Sequence, residues 1–170
     1  MSLLIDLQPS AGPVLVVGGG TVATRKVRTL LDAAFEVIVV APVIAAELSV
    51  QGVYAEGRPF RSDDITARPW ALVLACTGDR EVNRRVGELA RAQNIPVLVA
   101  DAQDESTFFS PAIHRDGDLQ VAVSTGGADP SLALSIRERI IAAVGSGWGE
   151  RLASAREARE HRLGRNGDEQ

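Results

Sequence analysis

Three consecutive glycines, Gly18, Gly19 and Gly20, lie between a short apolar run and a segment with helical periodicity. A strand that turns sharply into a helix needs residues without a Cβ. Such a turn also leaves unpaired amides at the positive end of the helix dipole, where a phosphate can bind. With Ala23 the glycines form the pattern Gly18-x-Gly20-x-x-Ala23, which is typical of dinucleotide-binding loops in this strand–turn–helix context. The sequence therefore predicts a nucleotide-binding turn, and the alternative is a tight turn without a ligand.

The first hundred residues alternate between apolar runs and helical patterns. The runs are rich in β-branched residues and do not alternate with polar ones, as in strands that are buried on both faces of a parallel sheet. Helical periodicity predicts helices over residues 21–34 and 44–49, and a third that begins after Asp79 as N-cap. Strands that alternate with helices predict a doubly wound α/β unit. The predicted strands cover residues 14–17, 37–40, 53–56, 72–75 and 96–100.

Near residue 105 the pattern changes to two strand-like runs, residues 107–113 and 119–124. The connection between them contains Asp-Gly, a strong hairpin signal. Asp129 followed by Pro130 predicts the start of a helix that runs to residue 144. A hairpin and one helix are too small to enclose a core, so we expect this segment to pack on the first domain or on a second copy of itself.

The last part of the chain follows the break at Gly145-Ser146-Gly147. Residues 151–162 are prone to form a helix but are highly charged, with a thin apolar stripe. Residues 164–170 have the composition of disordered chain. We therefore predict a short helical tail whose end is disordered.

The composition excludes several classes of function. A net charge of −4 and few aromatic residues (four Phe, two Trp and one Tyr) argue against nucleic-acid binding. Two histidines and a single cysteine, Cys76, are too few for a conventional structural zinc site, and no metal is expected. One cysteine also excludes an intramolecular disulfide, which predicts a reducing, cytoplasmic location. No apolar stretch reaches the roughly 20 residues of a membrane span, and the first residues lack a signal-peptide pattern.

Several residues follow the predicted strands and are therefore expected at the ligand-binding edge of the sheet. The second strand leads into Ala41-Pro42-Val43 without the usual acid, so backbone groups of Pro42 and Val43 are expected to hold the adenosine ribose. The absence of a nearby arginine cluster favours NAD over NADP. Thr77 either contacts the cofactor or supplies a turn hydroxyl, and Asp101 is either a general base or a turn former.

Other polar groups leave alternatives open. The run Ser124-Thr125-Gly126-Gly127 is either a second anion site or a hinge. A metal cluster of His114, Asp116 and Asp118 is disfavoured, since alternation within a hairpin does not bring three side chains to one point. Charged residues on the predicted helices are ordinarily solvated, but an anionic substrate would give them a role.

These residues together resemble a known family. The run from Gly18 to Lys26 is similar to the G-G-G-x-V-A-x-R-K opening of the precorrin-2 dehydrogenases, which are the dehydrogenase modules of siroheme synthases. The ordered combination of segments is more specific than the glycine loop alone, and it spans about residues 3–145. The matching segments downstream are residues 39–42, 76–83, 99–101, 106–113 and 121–127.

The resemblance implies an NAD-dependent oxidation of precorrin-2 to sirohydrochlorin, on the route to siroheme. It implies a Rossmann-like NAD-binding domain (residues 1–105), a dimerisation and substrate segment (106–145) and a short helical, partly disordered tail (146–170). The family is dimeric, with its middle segment exchanged between subunits, which would account for the small size of that segment. The expected partners are thus a tetrapyrrole substrate and a second copy of the chain.

The resemblance also assigns site residues. Asp101 matches an aspartate that is implicated in catalysis, and it would accept a proton, orient the macrocycle, or do both. Since the substrate carries many carboxylates, an acidic protein needs a local basic rim. The expected cofactor-binding residues are Gly18, Gly20, Thr21, Val22, Ala23, Pro42, Val43 and Thr77. The expected substrate-binding residues are Arg25, Lys26, Arg115, Ser124, Thr125, Gly126 and Arg137.

Three departures from the family pattern bear on function. Leu98 stands where relatives often have asparagine, and Asp129 where serine is common. The C-terminal helical region is shorter than in bifunctional members that insert iron, which disfavours ferrochelatase activity without excluding it. The alternatives to a dehydrogenase are therefore the same enzyme with added ferrochelatase activity, and a non-catalytic NAD-sensing module.

Overall fold

The computed structural model describes the backbone of residues 2–167 and the side chains of residues 2–160. It divides the chain into two compact units, with the division between Phe109 and Ser110. The three-part division predicted from the sequence, with boundaries after residues 105 and 145, stays a prediction.

The first unit is built on a sheet of five parallel strands. The strand order is β3-β2-β1-β4-β5, so it reverses between β1 and β4, as in doubly wound α/β folds. All five strands were predicted, and only β5 is shorter than expected. They are β1 (Val14–Val17), β2 (Val37–Val40), β3 (Val53–Glu56), β4 (Leu72–Ala75) and β5 (Val97–Val99).

The two faces of the sheet carry separate apolar cores. Alternate residues of β1 belong to different clusters, because successive side chains of a strand point to opposite faces. One cluster contains Ala23 and Val27 of helix α1 (Thr21–Leu31), and the other contains Val86 and Ala90 of helix α2 (Arg80–Ala92). The helices therefore cover opposite faces, which is why every residue of β1 and β2 is buried.

The predicted end of α1 is wrong by one turn. The helix ends at Leu31, and Ala34 takes a left-handed conformation (φ 60°). The amide of Phe35 then donates to the carbonyl of Leu30 at 3.1 Å, which closes the helix end and buries Phe35. Glycine normally marks such an end, and an alanine gives no signal in the sequence. The helix predicted over residues 44–49 is a single 3-10 turn, Ala46–Leu48.

The second unit begins with an antiparallel hairpin of β6 (Ala112–Asp116) and β7 (Leu119–Val123). Its two-residue turn is Gly117-Asp118, and Gly117 has the positive φ of 58° that this turn requires. The first predicted strand, residues 107–113, begins too early, since Ser106 and Thr107 use their hydroxyls on β5. Val99 N donates to Ser106 Oγ at 2.9 Å and Val97 N to Thr107 Oγ1 at 2.8 Å, so these hydroxyls satisfy the free edge of the sheet.

Two helices complete the second unit. Helix α3 (Pro130–Val144) has the predicted bounds, and Asp129 caps it by accepting from the amide of Leu132 at 2.9 Å. Helix α4 (Trp148–Gly167) begins earlier than predicted, because Asp116 Oδ2 accepts from the amide of Trp148 at 2.9 Å. Residues 164–167, in the segment predicted to be disordered, belong to α4, and residues 168–170 lie outside the described residues; the disorder stays a prediction.

An ion-pair network fixes the connection between β3 and β4. Arg58 binds both oxygens of the buried Asp64, at 2.7 and 2.9 Å, and Asp64 Oδ2 also accepts from the amide of Arg61 at 2.8 Å. Burial alone would raise the pKa of Asp64, but these hydrogen bonds and the charge of Arg58 hold it below its usual range. The ion pair is therefore a stabilising element that depends on the ionised carboxylate.

We expect Asp64→Ala to lower the free energy of unfolding by about 3 kcal/mol, because it removes the buried carboxylate that binds Arg58 and the amide of Arg61, and leaves Arg58 only the more exposed Glu56 as a partner. Since the folded-state pKa is lowered, the contribution is complete at neutral pH and is lost as the pH falls below about 4. Urea unfolding at pH 7 and at pH 3.5 measures both effects. The control is Glu81→Ala, which removes an exposed ion pair with Arg84 and should change stability little. Equal losses in the two variants at pH 7 would contradict the assignment.

Candidate functional site

The glycine turn packs against the ends of two neighbouring strands. Gly18 has a φ of 123°, and a Cβ at this position would lie 2.4 Å from the carbonyl oxygen of Cys76, which follows β4. A Cβ on Gly19 would lie 2.3 Å from the carbonyl oxygen of Val43, which follows β2. These two glycines are therefore required by close backbone contacts, at the point where the strand order reverses.

Gly20 differs from the other two glycines, because a Cβ placed on it would meet nothing within 4 Å. Gly20 is the N-cap of α1; no side chain caps this helix, and its first turn holds no acidic residue. The first amides of α1 thus point out of the fold beside open space, at the positive end of the helix dipole. This arrangement fits the pyrophosphate of a dinucleotide, and a side chain at residue 20 would occupy part of that space.

The other predicted cofactor contacts lie close to this turn. Thr21 and Val22 are exposed in the first turn of α1, whereas Ala23 is buried against the sheet. Pro42 and Val43 are both exposed directly after β2, and Val43 is 81% exposed. An apolar side chain so exposed at a ligand-binding edge is suited to packing against a base or a sugar.

Thr77 follows β4 and is tied into the loop by a buried asparagine. Its amide donates to Asn83 Oδ1 at 3.0 Å, and its hydroxyl donates to the same oxygen at 2.8 Å. Asn83 Nδ2 donates to the carbonyl of Thr77 at 3.0 Å, and Asp79 N donates to the hydroxyl of Thr77 at 3.1 Å. The hydroxyl, the amide and the carbonyl of Thr77 are thus all engaged in shaping the turn.

Asp101 lies in the turn after β5, at the same edge of the sheet. The amide of the preceding Ala100 donates to the carbonyl of Ala75 at 2.9 Å, so the ends of β4 and β5 are joined beside the glycine turn. The Asp101 side chain is 38% exposed, and its Oδ1 lies 4.0 Å from Nη1 of Arg80. The carboxylate is accessible to a ligand at this edge.

Two basic residues of α1 lie near the end of β4. Burial raises the pKa of the Cys76 thiol to about 11, while the charges of Lys26 and Arg25 act in the opposite sense. Burial also lowers the pKa of Lys26, which is half-buried on the second turn of α1. Cys76 is therefore an inert buried thiol, and Lys26 is a partly desolvated cation that a bound anion would stabilise.

The remaining predicted residues belong to the second unit. Arg115 lies on β6 and donates to Gln120 on β7 at 3.3 Å, and Arg137 on α3 donates to the carbonyl of Ile113 at 3.1 Å. Ser124, Thr125 and Gly126 form the loop before α3, where the hydroxyl of Thr125 accepts from the amide of Asp129 at 3.2 Å. The carboxylate of Asp129 already serves the N-terminus of α3, which favours a hinge here over a second anion site.

Sequence reasoning missed two residues that organise the site. Asn83 is fully buried, and it orders the loop after β4; the signal for it was a polar residue on the apolar face of α2. Arg80 contacts two acidic side chains near the carboxyl end of β5, and no local pattern predicts this, because Glu105 is 25 positions away. Long-range ion pairs depend on the assembled sheet.

Two kinds of feature are absent from the described residues. No three His, Cys, Asp or Glu side chains in that part of the chain converge so that they could hold a metal ion. Within the same residues, none of the helices combines the length and the apolar character that crossing a membrane requires.

Comparison with known proteins adds two family matches. The model described as "Putative NAD(P)-binding" matches residues 5–112, and the model described as "Sirohaem biosynthesis protein central" matches residues 116–143. The first match covers the glycine turn, the strand ends and Asp101. The second covers most of the hairpin and α3.

Curated relatives and a solved structure match most of this chain. A siroheme synthase of Nitrosomonas europaea is 44% identical over 144 residues, which cover 82% of this chain and 30% of that protein. A siroheme synthase of Methylobacillus flagellatus is 42% identical over 157 residues, which cover 87% of this chain and 32% of that protein. The chain thus spans about a third of the length of these curated relatives. The structure of SirC, precorrin-2 dehydrogenase, superimposes with a TM-score of 0.74 at 27% identity, covering 94% of this chain and 78% of that chain.

Proposed function

Since this chain belongs to the NAD(P)-binding family of siroheme biosynthesis, we propose that it oxidises precorrin-2 to sirohydrochlorin with NAD. The observation that carries the proposal is the placement of Asp101 at the sheet edge that also holds the uncapped N-terminus of α1. A dinucleotide site and an accessible carboxylate at one edge are what a dehydrogenation requires. The likeness to SirC, precorrin-2 dehydrogenase, supports precorrin-2 as the substrate.

The residues of this edge have separate roles in the proposed reaction. Gly18 and Gly20, with the amides of Thr21, Val22 and Ala23, hold the pyrophosphate, and Pro42 and Val43 hold the adenosine half. The loop at Thr77 supports the half that carries the nicotinamide. The residues that directly follow β2, Ala41-Pro42-Val43, include no arginine that could bind a 2′-phosphate. This favours NAD over NADP.

Asp101 acts on the substrate in this proposal. Dehydrogenation removes a hydride and a proton from the macrocycle, and a nicotinamide held by the loops after β1 and β4 would supply the acceptor for the hydride. Asp101 accepts the proton, orients the macrocycle, or does both. Cationic side chains compensate the carboxylates of the substrate, which the overall acidic chain would otherwise repel. The substrate-binding residues proposed are Arg25, Lys26, Arg115 and Arg137; Ser124, Thr125 and Gly126, predicted with them from the resemblance, are proposed as the hinge before α3.

The test is turnover by the purified chain. Precorrin-2 and NAD are mixed with the protein, and NADH and sirohydrochlorin are followed by absorbance, with NADP as a parallel cofactor. We expect equal amounts of both products and a preference for NAD. Measurable NAD binding without turnover would leave the non-catalytic NAD-sensing module as the better account. Adding Fe²⁺ or Co²⁺ to sirohydrochlorin, against a protein-free control, tests for added ferrochelatase activity.

We also propose that the chain forms a dimer. The cytoplasmic location predicted from the single cysteine is likewise part of the proposal. The second unit has almost no core of its own, because Ala133 alone is buried among residues 110–160. Helix α3 exposes Leu132 by 49% and Leu134 by 46%, on different sides of the helix. A second copy of the chain would cover these side chains, in the exchanged arrangement that the resemblance implies.

We expect light scattering at micromolar concentration to give the mass of a dimer. Leu132→Glu and Leu134→Glu place charges on the exposed apolar sides of α3, and at least one should shift the equilibrium to monomer. Val43→Glu is the control, because Val43 is more exposed than either leucine but lies in the first unit. A monomeric wild type would contradict the dimer without affecting the NAD site.

A further inference from the structure

Helix α2 holds Glu105 from two directions. Arg80, the first residue of the helix, donates from Nη2 to Glu105 Oε1, and Arg91, in its last turn, donates from Nη1 to the carbonyl of Glu105. Glu105 ends the 3-10 helix Gln103–Glu105, four residues after Asp101. The loop that carries Asp101 is therefore fastened at its far end to both ends of one rigid helix.

A glycine makes this arrangement possible. A Cβ on Gly87 would lie 2.9 Å from Val99 Cγ2 and 3.2 Å from Nη1 of Arg91. The side chain of Arg91 thus runs back across the helix surface at a position that has no side chain. Gly87 lets α2 approach β5 closely and leaves room for the guanidinium that reaches Glu105.

The near end of the loop is fastened to the sheet. The amide of Ala102 donates to the carbonyl of Val99 at 3.2 Å, and the amide of Ala100 donates to Ala75 at 2.9 Å. The hydroxyl of Ser106 contacts the carbonyl of Ala102 at 3.2 Å while it accepts from the amide of Val99. These bonds fix the backbone on both sides of Asp101. They do not restrict the rotamer of its exposed side chain.

Arg80 supplies the restraint on that side chain. Its Nη1 lies 4.0 Å from Asp101 Oδ1, while its Nη2 is bonded to Glu105. The second oxygen of Glu105 is buried without a hydrogen-bond partner among the described residues. The contact with Arg80 therefore balances the negative charge of this carboxylate. The pKa of Arg80 is raised, first by the hydrogen bond to Glu105 and then by the charges of Glu105, Asp101 and Asp104. The guanidinium is thus anchored by one carboxylate and directed at the other.

We propose that Arg80 is a positioning residue, which bridges Glu105 and Asp101 and holds the Asp101 carboxylate towards the substrate. The proposal rests on the role of Asp101 in the proposed function. A carboxylate that takes a proton or orients a ring must be held to within a fraction of an ångström, and small displacements cost large factors in rate. The planar guanidinium can face two carboxylates at once, whereas an ammonium acts as a point charge. The role therefore belongs to arginine and not to positive charge alone.

The test compares Arg80→Gln, Arg80→Lys and Glu105→Gln with the control Arg84→Gln. Arg84 lies on the same helix, is paired with Glu81 and Glu88, and is 41% exposed against 47% for Arg80. For Arg80→Gln and Glu105→Gln we expect kcat to fall about 10-fold with smaller changes in KM. Arg80→Lys should recover part of the loss, and the double variant should be no slower than either single one, since both remove one bridge. NAD affinity and Tm should match those of Arg84→Gln.

A second measurement does not depend on turnover. Hydrogen exchange at the amides of residues 101–105 should be faster in Arg80→Gln and Glu105→Gln than in wild type and in Arg84→Gln. Unchanged exchange in Arg80→Gln would overturn the proposal, and so would a kcat equal to that of Arg84→Gln. Should the wild type bind NAD but fail to turn over, the proposed function fails and the exchange result alone decides whether Arg80 restrains the loop.

Discussion

Asp101→Asn is expected to lower kcat by about 100-fold or more while NAD affinity and the dimer are retained. Asparagine keeps the shape of the side chain but cannot accept a proton, and a general base contributes roughly 10²- to 10⁴-fold to the rate. The Asp101 side chain is exposed at the sheet edge and contributes nothing to the core, so the fold should tolerate the change. A reduced kcat with an unchanged KM would assign Asp101 to the transition state.

Steady-state kinetics with precorrin-2 and NAD measure this effect, and NAD titration by fluorescence supplies the binding control. Asp104→Asn is the matched variant, since Asp104 is an exposed acid in the same loop. It should keep kcat within about threefold of wild type, because surface changes away from the reacting atoms act weakly. A kcat for Asp101→Asn equal to that of Asp104→Asn would remove Asp101 from the mechanism.

Gly18→Ala and Gly20→Ala are expected to fail in different ways. A Cβ on Gly18 would lie 2.4 Å from the carbonyl oxygen of Cys76, and the residue has a φ of 123°, which side chains disfavour. This variant should therefore lose about 3 kcal/mol or more of folding free energy. A Cβ on Gly20 meets no protein atom and its backbone is extended, so this variant should fold with a change in stability of about 1 kcal/mol or less. Its NAD affinity should nonetheless fall by about 10-fold, because the methyl group occupies space beside the first amides of α1.

Thermal unfolding and NAD titration of the two variants, side by side, separate the structural and the binding role of the turn. The decisive comparison is Gly20→Ala, since it is the variant expected to fold normally. Unchanged NAD affinity in that folded variant would contradict the placement of the pyrophosphate at this helix end. Full stability of Gly18→Ala would contradict the close contact with Cys76.

Most of the first unit follows from local pattern. Four of its five strands have the predicted bounds, because a buried parallel strand is an uninterrupted apolar run, which the sequence displays directly. Asp79 and Asp129 were predicted as helix caps, and both accept hydrogen bonds from the first amides of their helices. The family resemblance is likewise confirmed by the match over residues 5–112.

The wrong element boundaries occur where a side chain contacts residues that are distant in the sequence. The start of β6 was predicted too early, because the hydroxyls of Ser106 and Thr107 bond to β5 instead of continuing a strand. The helix end at Ala34 is set by burial of Phe35, and the start of α4 by the carboxylate of Asp116. Each depends on a partner that is brought near only when the chain has folded.

The candidate site shows the same division. The glycine turn and Asp101 were found from the sequence, since a residue after a buried strand lies at a known edge of the sheet. Arg80 was not found, because its partner Glu105 becomes its neighbour through the packing of α2 on β5. The roles of these residues stay predictions that the variants above test.

The hydroxyls of Ser106 and Thr107 have a consequence for synthesis of the chain on the ribosome. They satisfy the outer edge of β5 with residues that follow it closely in sequence, so β5 has its hydrogen-bond partners once residue 107 has emerged. The first unit can therefore fold while the hairpin and the last two helices are still being made, as domains that fold in order do. The nascent chain presents no unpaired edge at β5 during the interval in which the second unit, with its exposed leucines on α3, still lacks a partner.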